Sequence, residues 1–131
     1  MKRPSGRFIF LSMLTRPAFV LRLEEASLLL ASILLYRHLH FSWLIFAVLF
    51  LVPDLSMLGY LVNPRLGAAL YNFGHALFLP VLFFTFAAGT ARPLWMAISV
   101  IWFSHIVWDR LLGYGLKYPT YFKDTHLQHI L

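Results

Sequence analysis

The chain has 131 residues, of which 60% are apolar and 12% charged, with a mean hydropathy of +0.74 and a net charge of +6. An interior of this size cannot hide so much hydrocarbon from water, which excludes an ordinary soluble domain and points to lipid as the solvent. The basic residues are dispersed around apolar segments, so anionic headgroups rather than nucleic acid are the expected counter-surface, and the lack of cysteine excludes disulfides, thiolate metal sites and cysteine nucleophiles.

Residues 1–16 are basic at the start, contain Pro4, and carry the short apolar run Phe8 to Leu14. That run is at the minimum length for a signal peptide and lacks a small-x-small cleavage site, so it is predicted to be an uncleaved interfacial segment. Four longer segments follow: Pro17 to Tyr36, Ser42 to Val62, Leu66 to Ala88 and Pro93 to Tyr114. Each has roughly the 20 residues that a helix needs to cross a hydrocarbon core about 30 Å thick. Pro17 and Pro93 stand at helix starts, where a missing N–H costs nothing. Pro53 and Pro80 fall inside segments and predict kinks that free a carbonyl one turn back.

Short connections predict an all-α, up-down bundle of four transmembrane helices over 17–114, within a single integral membrane domain. Gly113-Tyr114-Gly115 is predicted to end the last helix and turn the tail, 115–131, back toward the membrane. Lys2, Arg3, Arg7, Arg16, Arg65, Lys117 and Lys123 fall on one side of such a bundle, and only Arg37 and Arg92 on the other. The positive-inside rule then puts both termini in the cytoplasm, in a multi-pass protein of the cell inner membrane. Membrane lipids are the expected partners, and the tail's interleaved Tyr, Phe and Lys suit the headgroup boundary.

Ionisable residues inside a span are expensive and usually face the bundle interior. The set comprises Glu24 and Glu25, Asp54, His75, His105 and Asp109. At helical rise, Asp54 and His105 each lie ~18 Å from the outer ends of their helices, and His75 lies ~15 Å from the inner face. Helices of opposite direction therefore place their polar groups in one slab, the cytoplasmic half. His105 and Asp109, four residues apart, share one face, as do Tyr71, Asn72 and His75.

Imidazole and carboxylate together are the ligand set of a divalent metal ion such as Zn, Mn or Fe, and Asp54, His75, His105 and Asp109 supply it. Such an ion turns bound water into a nucleophile near neutral pH. Asp124 and His126, beyond the last helix, are candidates for accessory ligand or general base, and Lys123 or Arg110 for holding an anionic substrate group. Glu24 and Glu25 are expected to pair with Arg22, and Arg110 to turn away from His105 toward the headgroups. His38 and His40 fall in the outer loop and are expected to be solvated, and His129 earns no role.

Three functional readings fit these residues. The first is a metal-dependent hydrolase acting on a lipid-like or amphiphilic substrate reached from the cytoplasmic leaflet. The second is a non-enzymatic bundle whose polar cluster holds the fold together or mediates assembly with a partner. The third is a proton or cation path, which four helices would support only in an oligomer.

Leu21-Arg22-Leu23-Glu24, Pro53-Asp54-Leu55-Ser56 running to Gly59-Tyr60, Gly67-Ala68-Ala69-Leu70-Tyr71-Asn72 with His75, His105-Ile106-Val107-Trp108-Asp109-Arg110 and Phe122-Lys123-Asp124-Thr125-His126-Leu127 together resemble the bacterial membrane family filed as domain of unknown function 4260. The resemblance covers about residues 18 to 127, implies a small integral membrane protein, and points to Asp54, His75, His105, Asp109, Asp124 and His126. In residue types the polar pattern is also similar to that of membrane-bound metal-dependent hydrolases, whose helices bear His and Asp near one membrane face.

Overall fold

The computed structural model describes residues 6–119 and 125–129, and every regular element named among them is helical. In chain order these are α1 (Gly6–Leu14), α2 (Pro17–His38), α3 (Trp43–Phe50), a 3₁₀ helix (Val52–Leu61), α4 (Pro64–His75), α5 (Phe78–Gly89) and α6 (Pro93–Leu111). The proline and cap positions explain the starts. Pro17, Pro64 and Pro93 occupy first-turn positions, while Ser42 and Asn63 accept the Leu44 and Leu66 amides with their side chains. Gly113, at φ 98°, stops α6. The Tyr114 amide then bonds the Asp109 carbonyl at 2.8 Å and the Gly113 amide the Arg110 carbonyl at 2.9 Å, a Schellman end that reverses the chain.

The two internal prolines act differently. At Pro53 the chain changes from α to 3₁₀ geometry and keeps it for ten residues, an unusually long stretch that twists Asp54 relative to α3. Ahead of Pro80 the helix opens one turn upstream, at Ala76, whose ψ of 121° is extended. The Gly74 carbonyl, next to that opening, receives the Trp102 indole N–H at 2.6 Å, so α6 satisfies a group the break leaves free.

The packing centres on α6, which buries eight residues, more than any other helix. Along α6 lie α2 on one flank and α5 on another, while α3 touches it and α4 packs against the 3₁₀ helix. Tyr36, Ala97, Val100 and Ile101 form the apolar core, ringed by Phe46, Phe50 and Phe84. Ser104 donates to Ser32 at 2.8 Å, a polar tie between α6 and α2.

Many large apolar side chains lie exposed on the described surface, as at interaction or membrane-facing sites. Leu61 is 84% exposed, Leu44 73% and Phe8 71%, in company with many other large apolar side chains. Two helical runs, Trp43–Leu61 and Pro64–Gly89, are long and apolar enough to cross a membrane. With 22 and 19 residues, α2 and α6 are of similar length, but they carry Arg22, Glu24 and Glu25 in one case and His105, Asp109 and Arg110 in the other.

Candidate metal centre

Asp54, His75, His105 and Asp109 come from three elements and meet. Pro53 positions Asp54 in the first turn of the 3₁₀ helix, His75 is the last residue of α4, and His105 and Asp109 lie one turn apart on α6. His75 Nε2 and His105 Nε2 are 3.1 Å apart, and each is 3.2 Å from Asp109 Oδ2. Asp54 Oδ1 is 3.3 Å from His105 Nε2 and 3.9 Å from His75 Nε2. One ligand atom from each residue thus lies within 4.8 Å of all the others.

Those separations can be read against a metal site. Ligands about 2.0–2.1 Å from a tetrahedral ion stand about 3.3 Å from one another. Four of the five edges above agree with that spacing to within a few tenths of an ångström. The 3.9 Å edge marks Asp54 as the loose corner. It is also the open corner: the Asp54 side chain is 38% exposed, against 16% for Asp109 and 3% and 2% for the histidines.

The surroundings set the tautomer of His75. Its Nδ1 lies 2.9 Å from the Tyr71 carbonyl, which can only accept, so Nδ1 carries a proton. The neutral ring then presents its Nε2 lone pair to the cluster, the arrangement by which metal-binding histidines are commonly oriented. Tyr71 also stacks on His75, with ring centroids 3.7 Å apart and planes at 10°, and its hydroxyl lies 3.5 Å from Asp109 Oδ2. Phe50 meets His105 edge-on at 5.0 Å and makes an apolar wall. His105 Nδ1 is buried with no partner at hydrogen-bond distance.

The tail closes over this cluster. Asn72, one turn from His75, accepts the Lys117 amide at 2.6 Å and donates to the Lys117 carbonyl at 2.8 Å. Lys117 pairs with Thr125 in an antiparallel bridge and is only 5% exposed. Its Nζ lies 4.5 Å from the centre of the Tyr71 ring and 5.9 Å from that of Tyr60. Burial pushes the Lys117 ammonium below its ordinary pKa, while the charge of Asp109 works in the other direction.

His126 helps to pin the tail. Its Nδ1 accepts the Leu116 amide at 2.8 Å, and it stands outside the group of converging ligand atoms. Burial, and secondarily the charge of Arg110, lower its pKa from 6.5, with the Leu116 backbone opposing. The folded state therefore resists protonation of His126, and this contribution is present above pH 6.5 and lost as the pH falls through the lowered folded value. Protonation at Nδ1 would also set an N–H against the Leu116 N–H. The protection of the Leu116 amide against hydrogen exchange, relative to its intrinsic rate at each pH, should fall as the pH drops through the lowered folded pKa of His126, and His126→Ala should flatten that dependence.

The remaining sequence-selected residues fall elsewhere. Asp124 and Lys123 lie outside the described residues. Glu25 departs from the expected pairing with Arg22: among the described residues no ion pair joins them, and the opposite charge acting on Glu25 is that of Arg110. The two charges stand on α2 and α6, which pack against each other. One carboxylate oxygen of Glu25 is buried without a hydrogen-bond partner. Lys117 is the site residue that sequence reasoning missed. Its signals were the Gly113 reversal and Asn72 on the His75 face, which together aim the tail at the cluster.

No curated protein and no solved structure matches the chain. The family described as Domain of unknown function (DUF4260) matches residues 18–130, a stretch that includes α2 to α6, the four converging residues and the tail, and the chain belongs to that family.

Proposed function

We propose that the protein is a membrane-embedded metal-dependent hydrolase, with Asp54, His75, His105 and Asp109 as ligands of one divalent ion. The carrying observation is the His75 Nδ1 contact to the Tyr71 carbonyl, which leaves Nε2 as a lone pair 3.1 Å from a second imidazole and 3.2 Å from a carboxylate. With the His105 Nε2 lone pair turned inward as well, acceptors face acceptors in a buried site and need a positive charge among them. Protonating both rings would put like charges 3.1 Å apart, whereas one divalent ion balances both carboxylates at once.

Bound there, the ion would supply Lewis acidity and a water activated near neutral pH. The chain's own residues do the rest. Asp54, as the exposed corner, leaves room for water and substrate to approach, and the Tyr71 hydroxyl steadies Asp109. A groove of about 320 Å³ is walled by Val52, Pro53, Phe73, Gly74, Ile101 and Trp102, of which Pro53 and Gly74 are the chain neighbours of Asp54 and His75. Its apolar walls support an amphiphilic substrate whose hydrocarbon runs toward the bilayer centre.

The four helical runs, read as an up-down four-span bundle with both termini in the cytoplasm of the inner membrane, set the cluster in the cytoplasmic half. The apolar surface and the short connections between runs support this reading. α1, apolar and exposed along its length, suits the headgroup interface.

The His75 to His105 contact also supports a second reading, in which the cluster is polar glue between helices. Metal analysis separates the two. Full-length protein purified in mild detergent should retain close to one transition-metal ion per chain and hydrolyse an amphiphilic ester in a chelator-sensitive manner. Metal-free protein of undiminished stability would leave the structural reading standing.

A further inference from the structure

Resting on the metal reading above, we propose that Trp102 is a positioning residue of the centre, whose indole N–H holds His75 at ligand spacing through the Gly74 carbonyl. His75 is the last residue of α4, and the chain turns extended at Ala76 directly after it. The last carbonyls of a helix have no intrahelical donor, and inside a bilayer no water replaces one. A ligand at a helix end therefore sits on the turn most prone to fray. Here that turn is tied from outside. The Gly74 carbonyl, part of the peptide group that ends at the His75 nitrogen, accepts the Trp102 N–H at 2.6 Å. The His75 ring is held separately, by the Tyr71 carbonyl at Nδ1. The backbone and the ring of one ligand thus each have a fixed partner.

The place of the tie gives it a role beyond satisfying a carbonyl. Trp102, His105 and Asp109 are spaced i, i+3 and i+7, so they form one stripe along α6. The tie extends by one turn the row of contacts in which His105 and Asp109 meet His75 at 3.1 and 3.2 Å. Gly74 is also wedged against the element that carries Asp54. A Cβ on it would lie 3.1 Å from Ser56 Oγ, 3.2 Å from Ser56 Cβ and 3.6 Å from the Pro53 carbonyl oxygen. Pro53 immediately precedes Asp54, and its carbonyl accepts the Ser56 hydroxyl at 2.7 Å. The three elements that supply ligands therefore converge on the Gly74 peptide, and a shift there moves His75 against Asp54, His105 and Asp109 together. Indole suits the task, because it only donates and its rigid bicycle turns about two torsions. Groups that orient a ligand from behind are worth about 10–100-fold in metal affinity.

The test uses full-length protein in mild detergent, titrated with Zn²⁺ for affinity and with Co²⁺ for its absorption spectrum. Trp102→Phe keeps an aromatic ring and removes the donor. It should bind Zn²⁺ about 10–100-fold more weakly than wild type, and its Co²⁺ absorption should lose intensity as the ligand set loosens. Trp95→Phe, on the same helix but packed against Phe83, should leave both readings at wild-type values. A role confined to stability lowers the unfolding midpoint and moves neither affinity nor spectrum. Linkage requires the reciprocal effect in wild-type protein, where Zn²⁺ should slow hydrogen exchange of the Trp102 indole N–H by a comparable factor. That measurement needs no Trp102 variant and decides the matter if Trp102→Phe does not fold. Its resonance is assigned by elimination with Trp43→Phe, Trp95→Phe and Trp108→Phe. Zn²⁺ affinity unchanged in Trp102→Phe, or indole exchange unaffected by Zn²⁺, would overturn the proposal and leave the metal reading intact. Wild-type protein that takes up neither ion would overturn both.

Discussion

Exchanging His105 for glutamine is expected to abolish metal retention and, with it, the metal-dependent part of the protein's thermal stability. His105 contributes more edges to the four-atom cluster than Asp54 does, at 3.1, 3.2 and 3.3 Å, and it is 2% exposed. Glutamine roughly fills its volume, so the cavity penalty that alanine would add is avoided. Altering groups that merely orient a ligand costs 10–100-fold in affinity, and removing the ligand itself should cost on the order of a hundredfold or more. A metal present at a thousand times its dissociation constant adds roughly 4 kcal/mol, or on the order of 10 °C in midpoint for a chain of this length.

The sign in metal-free protein separates the two readings. If the cluster is glue, His105→Gln weakens the metal-free fold by the bonds it removes. If it is a metal site, the apo cluster holds two carboxylates and two imidazoles at ligand spacing with no ion to balance them, and glutamine, which can donate to a carboxylate, replaces what His105 offers there. Metal-free His105→Gln protein should then be no less stable than the metal-free wild type, while the increment on adding metal disappears. Thermal unfolding with and without chelator reads both quantities, and a large loss in the metal-free state would count against the centre.

Much of the helical outline could be read from local chemistry. Prolines at first-turn positions and a glycine reversal are short-range devices, so α2 and α6 begin at Pro17 and Pro93 as expected, while α4 begins at Pro64, two residues ahead of the expected Leu66, on its Asn63 cap. The meeting of Asp54, His75, His105 and Asp109 was legible for a similar reason. Depth follows from helical rise, and His105 and Asp109 share a face by spacing alone.

What was not legible depends on partners distant in sequence. The opening at Ala76 lies one turn back from Pro80, as expected, but the partner of the neighbouring Gly74 carbonyl, the Trp102 indole 28 residues on, has no local signal. The charge of Arg110 acts on Glu25 because α2 packs against α6. The place of Lys117 is set by Asn72, 45 residues earlier, through backbone bonds that no side-chain pattern records.

Gly67→Val should damage the centre from a distance, through the packing that brings Asp54 to His75. The 3₁₀ helix and α4 run past each other at a glycine crossing, where a Cβ on Gly59 would lie 3.1 Å from Gly67 Cα. A Cβ on Gly67 would press on the Tyr60 ring at Cγ and stand 2.5 and 2.6 Å from Cδ2 and Cδ1. These distances are too short to be absorbed in place, so either the ring or the whole 3₁₀ helix must move. Overpacking of this kind costs about 1–3 kcal/mol, and a branched side chain belongs at the upper end. The movement has a direction. Displacing the 3₁₀ helix from α4 lengthens the Asp54 to His75 edge, already 3.9 Å, while His105 and Asp109 keep their spacing on α6. Metal affinity should therefore fall along with stability. A comparably destabilising change at the Ser32 to Ser104 tie, such as Ser32→Leu between α2 and α6, should lower stability and leave metal affinity nearly unchanged. Titrating metal into both variants decides the matter. Equal losses of affinity would mean that the centre reports only global stability, and that the crossing of α4 on the 3₁₀ helix has no special hold over it.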